Sequence, residues 1–305
     1  MHTVKNLVLG GGGLRGIGFL GAINYLNESN LLNDVETFIG TSMGSILAVL
    51  LSIGYSSNDL YIFSSNFNFS KLQPLFDIDS LLTNYGLDDG VRAMYIIKQL
   101  IKTKINLVDP TFIELYNLTH KKLIISASCV TDQCVNYFDY INNPDMKVLL
   151  AIRMSISIPI IFKPVTYQNK LYIDGGMCDN FPIHLVQDAL NETIGISIMK
   201  NGNTEGKIKN IFNYLSIILD LGIFTKNYND IEKYKKNVIP IIIPGELLED
   251  FNITKEKITE YYSYGYDCAK KFIDTFYNSN DNISETEKQE LNNNFQNAYD
   301  KIVQE

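Results

Sequence analysis

Histidine and cysteine are scarce in this 305-residue chain, with three of the former and four of the latter. Cys129, Cys134, Cys178 and Cys268 fall at uneven spacings without the tight pairs a zinc site uses. Met1 to Asn6 leads at once into a short apolar strand and a glycine run, not into the apolar stretch and small-residue cleavage site of a secretory leader. Reduced thiols in a cytoplasmic protein are therefore expected, rather than a disulfide framework. Long apolar runs are missing too: 46–53 is short, and 148–162 is broken by Arg153, serines and Pro159, so neither spans a bilayer and any membrane contact is expected to be peripheral. Positive charge is in deficit, 26 Lys and Arg against 34 Asp and Glu, and the net charge of -8 argues against an extended nucleic-acid surface built on phosphate neutralisation. No EF-hand-like acidic loop occurs, so neither calcium nor another cofactor is expected to be needed.

What is present is ordinary in bulk. Hydrophobic residues make up 46% and charged residues 20%, which fits a folded chain long enough for one substantial core. Val4 to Leu9 is a β-rich apolar run ending in glycine, and Phe19, Leu20, Ile23 and Leu26 then recur at helical spacing. Val35 to Ile39 reads as a second strand, Gly40 to Gly44 as a tight turn, and Ser45 to Ile53 as a buried helix. Helices follow at 88–102 and 111–118, and 123–130 with 135–140 alternate as a candidate antiparallel pair. The spacing predicts a helix over 145–157 ended by Pro159, a short strand over 171–173, a helix over 182–190 with Pro at its first position, and strands over 193–199 and 238–243. This alternation predicts an α/β fold, a three-layer sandwich around a mixed, mostly parallel central sheet. One domain is expected over residues 1–277. After an Asn/Ser-rich break, Ser284 and Glu287 give a capping-box pattern for a polar helical tail over 278–305.

Three glycine-containing turns carry the chemistry. Gly40-Thr41-Ser42-Met43-Gly44 sets a serine between a strand and a helix, where glycines relieve crowding and the helix N-terminus favours developing negative charge. The pattern alone recurs by chance, and its strand-to-helix placement gives it weight. Gly10-Gly11-Gly12-Gly13-Leu14-Arg15-Gly16 is a second strand-to-helix loop, whose side-chain-free backbone can line an anion site. Gly11, Gly13 and Gly16 also fit a dinucleotide fingerprint, with Glu36 about twenty residues on. A ribose-binding acid belongs at the carboxyl end of the second strand, however, and that end is occupied by the Ser42 turn. Asp174-Gly175-Gly176 is the third turn; alone it reads as a simple turn, but beside the other two it supplies a carboxylate.

In order and spacing these three motifs resemble the patatin-like phospholipases, over roughly residues 4 to 200, and Arg153 to Pro164 resembles the family's Ser/Pro-containing stretch. The resemblance implies a lipid acyl hydrolase of phospholipase A type acting on phospholipid or another acyl-ester lipid, with Ser42 as nucleophile and Asp174 as its base. It implies an oxyanion hole from Gly11, Gly12, Gly13 and Met43 supported by Arg15, an elbow formed by Gly40 and Gly44, and a supporting loop at Gly175 and Gly176. Gly10 stands where the family often has Asp. On this reading Gly12→Val is expected to block the oxyanion while leaving strand and helix intact. An ordinary aspartate titrates near pH 4, so no ionisation near neutrality is expected unless burial raises it.

Two other readings stay in view. A Ser-His-Asp hydrolase shares the Gly-x-Ser-x-Gly elbow and would need His184, the only histidine after Asp174 and a cramped ten residues from it. A non-catalytic lipid- or partner-binding scaffold would have no need of the serine, aspartate and glycine loop together. The aromatic stretch holding Phe63, Phe67, Phe69, Leu72, Leu75, Phe76 and Leu81 reads as a packed core segment or as an acyl-chain or membrane lid.

Overall fold

The computed structural model describes residues 3–74, 77–199, 211–243 and 250–277. The capping-box pattern of the C-terminal tail lies outside them.

Ten strands occur among the described residues: β1 Asn6–Leu9, β2 Thr37–Gly40, β3 Gly86–Asp88, β4 Lys122–Cys129, β5 Cys134–Phe138, β6 Ile160–Phe162, β7 Val165–Tyr167, β8 Lys170–Asp174, β9 Thr193–Met199 and β10 Val238–Ile242. Eight of them form one sheet in the order β10-β9-β1-β2-β4-β8-β7, with β5 also on β4, while β3 and β6 pair separately. From β10 to β4 the neighbours are parallel; β5, β8 and β7 join antiparallel. Helices cover both faces, so the fold is the mixed, mostly parallel α/β sandwich expected from the alternation.

Parallel strands covered on both faces read as continuous apolar runs, and each successive residue turns to the opposite side. Leu7 and Leu9 of β1, Phe38 of β2 and Leu123, Ile125 and Ala127 of β4 enter the larger core. Helices Ile17–Glu28, Met43–Ser52, Val148–Ser155 and Lys255–Phe276 close that side. Val8, Ile39 and Ile124 turn the other way, against Phe181, Ile183, Ile231 and Tyr234.

The register of β4 decides where the site falls. Ile125 pairs with Gly40 of β2 and also with Phe138 of β5, so β2 and β5 occupy opposite edges of β4. Two residues on, Ala127 pairs with Asn136 of β5 and with Asp174 of β8. With β5 still on its own edge, β8 must share the edge of β2, beyond the point where β2 ends. The carboxyl ends of β2 and β8 therefore meet head to head.

Two expected elements differ. The helix over 145–157 is confined to Val148–Ser155, because Lys147 is drawn into a bridge with Thr111 and the chain turns before Pro159. In place of a helix over 182–190 there are 3₁₀ turns over Ile183–Glu192, with non-helical backbone at Val186 and Ala189. Ile183, Val186 and Leu190 still reach the smaller core, so apolar spacing of three or four residues is met without an α-helix.

Helices Ile17–Glu28 and Lys255–Phe276 cross so closely that a Cβ on Gly265 would lie 1.8 Å from the carbonyl oxygen of Gly18, and one on Gly21 equally close to that of Tyr262. Alanine is worth up to about 1 kcal/mol over glycine inside a helix, whereas overpacking a core costs about 1–3 kcal/mol. Because the obstructing atoms are backbone, the cost should win, and Gly265→Ala is expected to lower the unfolding free energy measured in urea by 1 kcal/mol or more. An unchanged or higher stability would mean that the two helices are free to part.

Candidate active site

Ser42 lies between the end of β2 and helix Met43–Ser52, with φ 52° and ψ -125°. A non-glycine residue held there costs of order 1–3 kcal/mol, so the surroundings must hold it. The Ser42 amide donates to Ser155 Oγ at 2.9 Å, its carbonyl accepts from Ser45 Oγ at 2.6 Å, and the neighbouring Thr41 amide donates to Leu9 O at 3.1 Å. Gly40 and Gly44 let the turn close: a Cβ on Gly40 would lie 2.3 Å from Gly44 O, and one on Gly44 2.2 Å from Leu9 O.

Asp174 closes β8 and, by the shared edge of β4, faces Ser42. Ser42 Oγ donates to Asp174 Oδ2 at 2.6 Å, and the Gly176 amide donates to Oδ1 at 2.7 Å. Gly175 steers the turn, its amide donating to Ser155 O and its carbonyl accepting from Ser128 Oγ. Both Ser42 and Asp174 are buried. Burial pushes the Asp174 carboxyl up to about 7, against the opposing pull of the hydrogen bonds from Ser42 and Gly176. A carboxylate of that basicity beside a hydroxyl can accept its proton as the oxygen attacks an electrophile.

The glycine loop follows β1 and folds over the same point. The Gly11 amide is engaged, donating to Asn180 O at 3.0 Å, while the Gly11 carbonyl accepts from Asn180 Nδ2. The Gly12 carbonyl accepts from Arg15 Nε at 3.3 Å. No peptide bond among the described residues is cis, and in a trans peptide N–H and C=O point oppositely. Asn180 and Arg15 thus turn the amides of Gly12 and Gly13 the other way. Neither amide, nor that of Met43 at the start of its helix, meets an acceptor among the described residues. Gly11, Gly12, Gly13, Ser42, Asp174 and Asn180 line one small cleft, with Ile158 and Ile223 as its apolar walls. Arg15 is wholly buried, with Nη2 3.8 Å from Asp220 of helix Ile211–Lys233.

Gly12 departs from expectation in one respect. A Cβ there would lie 2.5 Å from Ile198 Cγ1, pointing into the sheet and not into the cleft. Gly12→Val would therefore disturb packing first, and it is a poor probe of the amides.

Among the described residues, no histidine is brought to Ser42. His184 Nδ1 lies 3.6 Å from Asp179 Oδ2 and its Nε2 3.3 Å from Tyr137 OH, so its carboxylate neighbour is Asp179 and not Asp174. His120 ends helix Phe112–Thr119, and His2 lies outside the described residues. Sequence reasoning assigned no role to Ser155 or to the Asn180 side chain, which orient the backbone of Ser42 and of Gly11. Ser155 sits inside the Ser/Pro-containing stretch, the one signal that pointed its way.

Beside the cleft opens an apolar cavity of about 120 Å³. Leu14 and Met43, each next in sequence to a residue of the cleft, form part of its wall, opposite Phe63, Phe67, Phe69 and Leu72. The aromatic stretch thus lines a cavity; Leu75 and Phe76 lie outside the described residues.

Residues 7–186 match the sequence profile of the family described as patatin-like phospholipase. The chain belongs to that family, and with it to the lipid hydrolases. It is 38% identical over 187 residues to "Probable lipid hydrolase 463L" of Invertebrate iridescent virus 6, a match spanning 59% of this chain and 62% of that protein. With protein R571 of Acanthamoeba polyphaga mimivirus it shares 29% identity over 278 residues, 88% of this chain and 92% of that one. Among solved structures, VipD from Legionella pneumophila superposes with a TM-score of 0.62 at 16% identity, covering 90% of this chain and 67% of VipD. ExoU of Pseudomonas aeruginosa, solved in complex with SpcU, gives 0.51 at 14% identity, with 89% and 52% covered. At such identities these two likenesses are of fold.

The buried carboxylate has a consequence for stability. Folded, Asp174 holds its proton to about pH 7, whereas an unfolded aspartate releases it near 3.8. The folded state therefore binds more protons between those values, and stability falls as pH rises from about 4 to about 7. Asp174→Asn removes this dependence. At 1.36 kcal/mol per pH unit, the stability difference between Asp174→Asn and wild type should shift in favour of the variant by about 3 kcal/mol between pH 5 and pH 8. Denaturant unfolding at the two pH values checks this; a constant difference would mean that the carboxylate is not held neutral by burial.

Proposed function

We propose that the chain hydrolyses fatty acyl esters of phospholipids or related lipids through a Ser42–Asp174 dyad, as a carboxylic-ester hydrolase of phospholipase A type. The observation that carries this reading is the 2.6 Å hydrogen bond from Ser42 Oγ to Asp174 Oδ2 inside a buried cleft. Asp174 takes the hydroxyl proton as Oγ attacks the ester carbonyl, and the carbonyl oxygen becomes an oxyanion. The amides of Gly12, Gly13 and Met43 stabilise it, with Arg15 holding the Gly12 carbonyl aside and Asn180 occupying Gly11. Collapse expels the alcohol, which takes the proton from Asp174. Water, deprotonated by the same carboxylate, then releases the fatty acid and regenerates Ser42. The apolar cavity beside Met43 and Leu14 suits the acyl chain.

Residues 1–277 would then form a single catalytic unit, with Gly40 and Gly44 as the elbow and Gly175 and Gly176 as the loop behind the base, a reading supported by the close approaches at these glycines. A cytoplasmic protein that meets membranes from one side fits a chain in which no described helix is long and apolar enough to cross one.

Initial rates on a short-chain ester separate the dyad from a triad. Ser42→Ala and Asp174→Asn should each abolish hydrolysis, by 1000-fold or more on the order seen for residues acting as one unit, and the double variant should be no worse. His184→Ala should retain most activity. The wild-type rate should rise to a plateau through about pH 7 as Asp174 ionises, an inflection that mimics a histidine. That inflection should persist unchanged in His184→Ala. Its loss there, together with an active Asp174→Asn, would overturn the dyad.

A further inference from the structure

Among the described elements, helix Val91–Ile105 has the largest excess of positive charge. It carries Arg92, Lys98, Lys102 and Lys104 and no acidic residue, in a protein of net charge -8. Its two faces are distinct. Ala93, Ile96, Ile97 and Leu100 line the apolar cavity beside Met43. On the opposite side, Val91, Tyr95, Lys98 and Lys102 follow at positions i, i+4, i+7 and i+11, a single outward stripe some 16 Å long at 1.5 Å per residue. Val91 and Tyr95 are 62% and 60% exposed.

The surrounding groups leave this stripe available. Arg92 is committed inward, to the carbonyls of Lys71 and Gln73 and to the Asp88 carboxylate. Lys104 lies over the Tyr55 ring and within electrostatic reach of Asp59. Asp109, half-buried, feels the charge of Lys98. No described carboxylate lies within ion-pairing distance of Lys98 or Lys102. Just ahead in the chain, helix Ile78–Asn84 and the residue after it expose Ile78, Leu82 and Tyr85, again at i, i+4 and i+7, joined to the basic helix through β3.

Exposed aromatic and aliphatic side chains beside unpaired lysines, on a helix whose other face walls the cavity, match an anionic bilayer surface: tails for the apolar positions, headgroups for the lysines. We propose that the outward stripe Val91–Tyr95–Lys98–Lys102 docks the protein on anionic lipid bilayers, setting the apolar cavity one helix behind the membrane surface. The proposal rests on the lipid-hydrolase reading of the site and names the surface and the lipid charge that bring substrate to it.

Binding is measured apart from catalysis, by co-sedimentation of the full-length Ser42→Ala chain with vesicles of phosphatidylcholine alone or mixed with phosphatidylserine. The chain should bind the phosphatidylserine vesicles preferentially, and less as salt rises. Each lysine near such a surface is worth roughly fivefold in partitioning, so Lys98→Gln/Lys102→Gln should weaken binding about 30-fold. Tyr95→Ser should weaken it further. Lys257→Gln/Lys270→Gln, with the same change in net charge on another helix, should have little effect. In the Ser42 background, Lys98→Gln/Lys102→Gln should hydrolyse a soluble short-chain ester at the wild-type rate, so a failed dyad and a failed docking surface give different results. Equal loss in both lysine pairs, no loss in Lys98→Gln/Lys102→Gln, or no preference for phosphatidylserine would overturn the proposal.

Discussion

A hydroxyl and a carboxylate 132 residues apart in the chain share one hydrogen bond in a buried cleft, and the surrounding architecture is arranged around that contact. It exists because β4 is longer than either neighbour on one of its edges. β2 pairs with the first half of β4 and β8 antiparallel with the second, so the turns that end β2 and β8 are brought together from opposite directions. In an all-parallel sheet the carboxyl ends of successive strands lie side by side, about 4.8 Å apart. Here two of them meet end to end, which places Ser42 Oγ and Asp174 Oδ2 at 2.6 Å without an intervening residue.

The same burial that shapes the contact sets its electrostatics. Removing a carboxylate from water disfavours its charge, and two hydrogen bonds only partly restore it, so Asp174 is poised near neutrality. In the proposed reaction this makes it a stronger base than an exposed aspartate would be, and a histidine becomes unnecessary. In that reaction Asp174 is complemented by the backbone amides of Gly12, Gly13 and Met43, which meet no acceptor among the described residues. The strain of the Ser42 backbone is borne by Ser155, Ser45 and the close-packed Gly40 and Gly44.

Much of this was legible in the sequence, for physical reasons that differ between residues. Gly40, Gly44 and Gly11 are readable because only glycine tolerates the close approaches those turns demand, and Asp174 because it leaves a strand on two glycines. The alternation of strands and helices was readable through apolar runs that both-sided burial imposes. The sharing of the β4 edge was not, since pairing is non-local and no residue type records it. Ser155 was hidden because its task is a single hydrogen bond to a backbone amide, and serine is too common to signal one. Position 12 misled, as its missing Cβ makes room for Ile198. The basicity of Asp174 could not be read from residue type, which gives only the exposed value. The 182–190 stretch misled because apolar spacing of three and four residues serves 3₁₀ turns as well as an α-helix.

The central claim is that Asp174 directly activates the Ser42 hydroxyl, and covalent trapping tests it most directly. A fluorophosphonate carrying an alkyl chain should label the folded protein once, with peptide mass spectrometry placing the adduct on Ser42. Labelling should slow by orders of magnitude in Asp174→Asn while remaining at the wild-type rate in His184→Ala. An adduct on another residue, or full-rate labelling of Ser42 in folded Asp174→Asn, would contradict the account.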